Sequence, residues 1–291
     1  MTKHQWRVSG KQAGMSLLQF LKEMCKDAPS IKMLKRAIEG KCCTVNKQIP
    51  TFSSHPLKKN DLVTLNPQAF ETQVAPLSSI LYEDATLLII NKPAGVVSDE
   101  KSIQASLPSH RGRLLLVHRL DKETSGVLIL AKTSPIKEKL LTLFKERLIH
   151  KLYLAIVDGV VEKGEGCIDN YLGKKSGYEG QTVYGSVSKE KGLRALTQWK
   201  CLQRGEKASL LSCEPHTGRT HQLRVHLSGI GHPILGDSQY AKRFCSSYTP
   251  LRNLLHAYRV TFKHPLTEQP MKVVAPLPVD FKLAMKMLEL S

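Results

Sequence analysis

The sequence has no long hydrophobic run, and this absence argues against a membrane protein. No segment of its 291 residues approaches the roughly 18 consecutive apolar residues that a membrane-spanning helix requires. The first residues, MTKHQWRVSGKQ, also lack the apolar centre of a signal peptide. We therefore expect a cytoplasmic protein without membrane attachment.

The usual metal motifs are missing too. The seven cysteines include an adjacent pair, Cys42-Cys43, but no C-x-x-C, so neither a zinc knuckle nor a redox motif is present. This pattern of cysteines indicates that they are reduced thiols rather than disulfides. Four histidines occur between residues 216 and 232, but their spacing of 5, 5 and 6 scatters them around a helix and no H-E-x-x-H occurs. We expect no metal.

The sequence also lacks the common nucleotide-binding motifs. Gly166 and Gly173-Lys174-Lys175 are separated by six residues, whereas a phosphate-binding loop has four between its glycines. The segment HRLDKETS at 118–125 lacks the residue order of a kinase catalytic loop. No cofactor is therefore expected.

Acidic residues are scarce, and the excess of basic ones is unevenly distributed. The chain has 43 Lys and Arg against 25 Asp and Glu, a net charge of +18. Residues 1–67 alone have 12 basic and 4 acidic residues. A basic excess at one end indicates a polyanionic partner, although basic residues can also simply keep a protein soluble.

Residues 15–40 have the periodicity of two short helices. Leu17, Phe20, Leu21 and Met24 fall on one helical face. Pro29-Ser30 then precedes a second apolar stripe that ends near Gly40. The cationic residues of this second helix avoid the stripe and would form an exposed basic face; they are Lys32, Lys35, Arg36 and Lys41.

The pattern of predicted secondary structure changes after residue 79. Residues 1–67 form a predicted first domain with short strands near 43–45 and 62–65, residues 68–79 a linker, and residues 80–291 a second domain with many short β-type runs. One helix interrupts these runs, with Ser134 as its cap and Leu140, Leu141, Phe144 and Leu148 expected to face the core. Few helices without regular βα alternation predict an α+β fold with a mostly antiparallel sheet.

A polar cluster, His118 to Gly126, lies between two apolar runs that both resemble buried strands. An Asp in a loop is usually solvated or part of a turn. Here Arg119 lies two residues before Asp121, and Thr124-Ser125-Gly126 can bond the loop back onto itself. Such a loop can hold one ionised carboxylate at a strand end, where it can act at the anomeric carbon of a sugar.

Three further stretches carry candidate functional residues. Asn91-Lys92-Pro93-Ala94-Gly95 follows a strand and, taken alone, is a turn. Tyr153 interrupts a strand pattern, either as a core residue or as an aromatic face for a nucleobase. In HTGRTHQLRVHLSGIGHPILGD, residues 216–237, Leu223 and Leu227 indicate a helix that contains Arg224 and that Gly229 can end.

Together these blocks resemble the RluA family of pseudouridine synthases over about residues 80–280. The resemblance rests on elements in the family's order: N-K-P-A-G at 91–95, H-R-L-D-x-x-T-S-G at 118–126, K-x-Y at 151–153, T-G-R-T-H-Q-L-R-V-H-L at 217–227 and G-H-P-I-L-G-D at 231–237. The basic N-terminal helix pair more loosely resembles the α-L RNA-binding motif. One departure is Val97-Ser98-Asp99, where the family often has a His.

The resemblance implies an isomerase that detaches uracil from ribose, turns it over and rejoins it through carbon 5, without a cofactor. Asp121 would be the catalytic carboxylate, Arg224 would pair with it and keep it charged, and Tyr153 would lie against the uracil. Arg119 would fill the gap left by the flipped base. The other residues implied to contact RNA are His118, Lys92, Thr124, Arg219, His221 and Gln222.

The partner would be RNA, with large-subunit ribosomal RNA as the expected substrate and transfer RNA as the alternative. A non-catalytic RNA-binding or ribosome-assembly protein on the same scaffold is a second function class. A degenerate protein would lose Asp121, Tyr153 or Arg224 first, and all three are present. We expect a monomer.

Overall fold

A computed structural model describes residues 4–25, 34, 37, 38, 43–50, 53–65, 77–178, 181–241 and 243–290, except for the side chains of 176–178 and 181. Within these ranges no helix combines the length and apolarity needed to cross a membrane. The chain divides into two compact units, residues 1–74 and 75–291.

The first unit contains a small antiparallel sheet and a short helix. Its described elements are β1 (His4–Arg7), α1 (Leu17–Met24), β2 (Cys43–Val45) and β3 (Leu62–Leu65). The strand order is β1-β3-β2. Helix α1 begins with a capping box, in which Ser16 accepts from the Gln19 N–H and the Gln19 side chain accepts from the Ser16 N–H.

The predicted apolar stripe of α1 is confirmed, since Leu17, Phe20 and Leu21 have no exposed surface. Leu34 and Ile38 of the second predicted helix are helical and buried. Its four basic residues, its Pro29-Ser30 start and its Gly40 end lie outside the described residues, as do residues 68–76 of the predicted linker. Strand β1 was not predicted, because four mostly polar residues carry no apolar alternation.

The second unit is built on one large sheet with a few helices. The first half of the unit contains β4 (Ser79–Glu83), β5 (Leu87–Lys92), α2 (Glu100–Ala105), β6 (Leu115–Leu116), β7 (Ser125–Ala131), α3 (Ser134–Lys145) and β8 (His150–Asp158). The second half contains β9 (Glu165–Tyr178), β10 (Gln181–Val187), a 3-10 turn (Lys189–Lys191), β11 (Leu193–Arg204), β12 (Ala208–Pro215), α4 (Gln222–Gly229), β13 (Leu255–Lys263), β14 (Pro270–Val274) and α5 (Val279–Met287).

Over the described residues the sheet has eleven strands, and its main path runs β10-β9-β11-β12-β8-β13-β7-β5-β4, with β14 paired to β13 and β6 to β7. Its strand pairs are antiparallel apart from β13 and β7, which run parallel. The α+β fold with a mostly antiparallel sheet is therefore confirmed. The clearest β-type runs of the sequence overlap strands of the sheet, although only Leu115 and Leu116 of the run 114–117 are paired; the others are 87–90, 127–131, 153–157, 195–201 and 209–213.

The parallel pair brings three chain segments into one row at the centre of the sheet. Ala257 of β13 faces Gly126 of β7 on one side and Tyr153 of β8 on the other. Gly126 has φ +116°, and a Cβ there would lie 2.2 Å from the Ala257 carbonyl oxygen. Only glycine allows this close approach. The row places Tyr153 two strands from the loop that ends at Gly126.

The helix after β7 differs in detail from its prediction. Thr133, not Ser134, is its N-cap, and Pro135 lies in the first turn. Ile136 and Leu140 are buried, whereas Leu141 and Leu148 are exposed by 37% and 50%. Leu148 is exposed because it follows the last turn of the helix. Leu141 is exposed because successive residues are rotated by about 100° around a helix, so it points away from the face that contains Leu140.

Candidate functional site

Asp121 lies in the loop between β6 and β7, and short backbone bonds hold this loop. The Thr124 N–H donates to the Asp121 carbonyl at 3.1 Å and closes a turn. The Ser98 hydroxyl donates to the Leu120 carbonyl at 2.7 Å and accepts from the Leu120 N–H at 3.1 Å. The carboxylate itself remains partly exposed, with 28% of its side-chain surface accessible. The backbone is thus fixed while the reactive group stays open.

Lys92 supports the same loop from inside the protein. It has no exposed surface, and its Nζ donates to the carbonyls of Pro93 and Val96 at 2.9 Å and of Lys122 at 3.3 Å. Burial, aided by the charge of Arg252, lowers the pKa of Lys92 to about 7. A fully buried amine cannot contact RNA. The RNA contact predicted for Lys92 is therefore corrected to a bond network that holds the loop.

Helix α4 places Arg224 at the centre of the site. Its Nε and one terminal nitrogen donate to the two oxygens of Asp237 at 2.6 and 2.9 Å. That nitrogen also donates to Gln239 at 2.8 Å, and the other terminal nitrogen reaches Asp121 Oδ2 at 3.3 Å. Burial opposes the charge of Arg224, but its bonds to Asp237 outweigh this and raise its pKa. Arg224 is therefore a permanent cation beside Asp121.

Asp237 was quoted within a sequence element but was given no role. Its exposure is only 2%, and besides Arg224 it binds the Gln239 N–H at 3.2 Å. The buried bidentate pair fixes the plane of the guanidinium and so the nitrogen that faces Asp121. The two partners are thirteen positions apart in sequence, and this spacing has no pattern that would have identified the pair.

Tyr153 lies close enough to Asp121 for the negative charge of Asp121 to affect the Tyr153 phenol. Burial, and to a lesser extent the negative charge of Asp121, raise the pKa of the Tyr153 phenol, so the phenol is neutral at physiological pH. Two residues earlier, burial lowers the pKa of Lys151 to about 8. Tyr153 packs against two core clusters of the sheet, and this packing restricts its ring.

His221 is also next to Asp121. Its Nε2 is 3.9 Å from Asp121 Oδ2, and its Nδ1 is 2.8 Å from the Tyr240 hydroxyl. The rings of Tyr184 and Tyr240 meet the imidazole edge-on, with centroids 5.8 and 5.6 Å away. Burial and the charge of Arg224 lower the pKa of His221. Neither tyrosine was predicted to have a role, because neither occurs in a motif.

The other predicted RNA contacts divide into exposed and internal side chains. Arg119 is exposed. Arg219 is partly exposed, and its Nε donates to the Arg194 carbonyl at 3.0 Å. His118 instead turns inward, where its Nε2 accepts from the Ile129 N–H at 2.9 Å and burial lowers its pKa to about 3. His118 keeps some exposed surface, and the RNA contact predicted for it stays a prediction.

The RNA contacts predicted for Thr124 and Gln222 are also corrected, because both residues are almost completely buried, with 2% and 4% exposure. The Gln222 side chain accepts from the Arg219 N–H and donates to the Leu196 carbonyl, both at 3.0 Å. It therefore joins the start of α4 to the sheet. The Thr124 hydroxyl has no hydrogen-bond partner within the part of the chain that is described.

No metal centre is formed by the residues that the structure describes, where no group of three or more His, Cys, Asp or Glu side chains is arranged to hold an ion.

The chain matches a known family and is similar to named proteins. Residues 86–229 match the family described as RNA pseudouridylate synthase. The chain is 36% identical to the ribosomal large subunit pseudouridine synthase D of Zymomonas mobilis, over 79% of this chain and 78% of that protein. It is 32% identical to the ribosomal large subunit pseudouridine synthase C of Vibrio vulnificus, over 91% and 90% of the two chains.

A solved structure supports the same relationship. The chain superposes on human RNA pseudouridylate synthase domain containing 4 with a TM-score of 0.61 and 31% identity, over 72% of this chain and 93% of the human one. The fold and the sequence therefore agree.

The two carboxylates that bind Arg224 should differ in what they contribute to stability. Asp237→Ala leaves a buried guanidinium without its main partner and should lower the free energy of unfolding by about 3 kcal/mol or more. Asp121→Ala removes a partly exposed carboxylate and should cost less than about 1 kcal/mol. Urea denaturation of both variants measures the difference. Equal losses would show that Asp237 does not anchor Arg224.

Proposed function

The chain belongs to the RNA pseudouridine synthases, and on this premise we propose that it isomerises uridine in large-subunit ribosomal RNA with Asp121 as the reacting group. The observation that carries the site assignment is the buried Arg224, which binds Asp237 on one side and Asp121 on the other. The names of the relatives in Zymomonas mobilis and Vibrio vulnificus support the choice of RNA.

The reaction breaks the bond from N1 of uracil to C1′ of ribose and forms a bond from C5 to C1′. One proton leaves C5 and N1 gains one, so the reaction is an isomerisation that needs no external oxidant or reductant. Asp121 acts at the sugar, either as a nucleophile that forms an adduct at C1′ or as a base that removes a proton from the ribose. Both routes require a carboxylate oxygen that faces the ribose, and the bond from Arg224 at 3.3 Å orients the Asp121 side chain.

Tyr153 and Arg119 act on the base and on the gap that it leaves. Tyr153 presents a neutral, packed ring near Asp121, where it can lie against the extruded uracil and help remove the C5 proton. Extruding a base costs a few kcal/mol. Arg119 is exposed in the same loop, and its planar guanidinium can stack in the vacated position and recover part of that cost.

The first unit supplies further RNA contacts. We assign residues 1–67 to an α-L RNA-binding domain on their net charge of +8, from 12 basic and 4 acidic residues, and assign the phosphate contacts to Lys32, Lys35, Arg36 and Lys41. Arg219 contributes contacts beside the catalytic loop. Asp121, Tyr153 and Arg224 come from one chain, which is consistent with a monomer, and a ribosomal RNA substrate is consistent with the cytoplasm.

The reacting group is tested by Asp121→Asn. This variant keeps the shape of the side chain but removes its charge, so we expect normal folding and RNA binding but loss of carbon-5 hydrogen release from labelled uridine in RNA. Tritium release from ribosomal RNA isolated from cells without the gene measures the activity. A variant that retains substantial activity would refute the role of Asp121.

The substrate is tested in cells that lack the gene. Carbodiimide labelling followed by reverse transcription should show at least one pseudouridine stop missing from large-subunit ribosomal RNA, and the wild-type gene should restore it while Asp121→Asn should not. Loss of a stop in transfer RNA alone would assign the enzyme to that substrate instead.

The basic residues of the first unit are tested in the full chain by changing Lys32, Lys35, Arg36 and Lys41 together to Ala. If each contacts one phosphate, the log–log slope of RNA affinity against salt should become shallower by roughly 3 for single-stranded RNA. The control changes four exposed lysines of the second unit, namely Lys145, Lys163, Lys272 and Lys286. An unchanged slope in the first variant, or an equal change in both, would contradict the assignment.

A further inference from the structure

His221 has an unusual backbone conformation for a residue with a large side chain. It has φ +56° and ψ +21° at the start of α4, in the left-handed region that costs a non-glycine residue about 1 kcal/mol or more. The strained conformation turns the imidazole back between Asp121 and Tyr240 rather than along the helix. Strain that is held in place by surrounding contacts commonly marks a functional position.

The hydrogen bonds of Tyr240 decide which nitrogen of His221 carries the proton. The Tyr240 hydroxyl oxygen accepts from the Tyr184 N–H at 3.2 Å. Its own proton then has His221 Nδ1, at 2.8 Å, as an acceptor. In a neutral imidazole one nitrogen accepts and the other carries the hydrogen. We assign Nδ1 as the acceptor, because the described part of the chain offers the Tyr240 proton no other acceptor; Nε2 then carries the hydrogen and presents an N–H toward Asp121.

That N–H does not reach the carboxylate. Nε2 and Asp121 Oδ2 are 3.9 Å apart, which is beyond hydrogen-bonding distance. One oxygen atom can lie about 2.8 Å from both atoms at once, and a hydroxyl in that position would accept from Nε2 and donate to Oδ2. The gap therefore matches a group that is both a donor and an acceptor.

We propose that His221 is a specificity-determining residue whose Nε2–H donates to the 2′-hydroxyl of the target ribose. The inference rests on the proposed function, because Asp121 then acts at C1′ and the 2′-hydroxyl is on the adjacent carbon. This hydroxyl is both a donor and an acceptor, and it is the group that distinguishes RNA from DNA. Arg224 donates to the same oxygen, Asp121 Oδ2, so the carboxylate that would receive the 2′-hydroxyl is already fixed in position.

The test compares two RNAs that differ by one oxygen. The probe is a ribosomal RNA fragment in which the wild-type enzyme forms pseudouridine, made either with ribose throughout or with 2′-deoxyribose at the target nucleotide alone. Binding is measured in the Asp121→Asn background, so that no reaction occurs. With His221 present, the 2′-deoxy RNA should bind roughly three- to tenfold more weakly, the range expected for one hydrogen bond.

Two variants of His221 form a matched pair. Asn tolerates the left-handed conformation well, but its amide is too short to replace Nε2, so His221→Asn should bind both RNAs equally. Gln is one methylene longer and presents an amide N–H near the position of Nε2, so His221→Gln should restore part of the preference for ribose. Thermal unfolding of both variants checks that they fold, and a 2′-deoxy substitution at the neighbouring nucleotide should affect all the proteins equally.

A preference for ribose that persists in His221→Asn, or that is missing when His221 is present, would overturn the assignment. Failure of the proposed function is recognised separately, because the wild-type enzyme would then release no carbon-5 hydrogen from the all-ribose fragment.

Discussion

The site depends on a buried arginine that two carboxylates share unequally. Asp237, with almost no exposed surface, binds Arg224 through both oxygens. Asp121 receives only one longer bond from the same side chain. The cost of burying the guanidinium is offset mainly by Asp237, Gln239 and the ring of Tyr240, whose centroid is 5.0 Å from the guanidinium carbon. Asp121 is therefore oriented without being enclosed, and 28% of its side-chain surface stays accessible.

The loop that contains Asp121 is held by buried groups. Lys92 binds three carbonyls, one of them in the loop. Ser98 binds the backbone of Leu120 in both directions. Ser98 belongs to the stretch where the sequence departs from the related family, and here a small hydroxyl supports the loop. The backbone around Asp121 is thus supported from inside, while the Arg119 side chain of the same loop is exposed.

The first unit and the candidate site differ in how their charged residues are arranged. The first unit has a large excess of basic residues, which suits long-range attraction to phosphates and is sensitive to salt. At the site, by contrast, charges are paired or desolvated: Tyr153 and His221 are neutral because of burial and their neighbours, and Arg224 is paired. In such a less polar environment each hydrogen bond has more effect than in water.

The sequence by itself determined the local and ordered features. Hydrophobic periodicity identified α1, most strands of the second unit and the α+β class, and the contiguous elements around Asp121, Tyr153 and Arg224 carried the family resemblance. These signals are short in range, because a helix face or a strand repeats within a few residues. The exposure of Leu141 and Leu148 shows the limit of that reasoning, because Leu141 lies about 100° around the helix from the buried Leu140 and Leu148 follows the end of the helix.

Only the tertiary structure decided which polar residues face RNA and which support the site. Lys92, Thr124 and Gln222 are buried, and nothing in their local sequence distinguishes them from exposed polar residues. The partners Asp237 and Tyr240 come to Arg224 and His221 through a loop after α4, and Tyr184 comes from β10. Burial and long-range pairing arise when the whole sheet closes, so the roles of these side chains follow from the fold rather than from any motif.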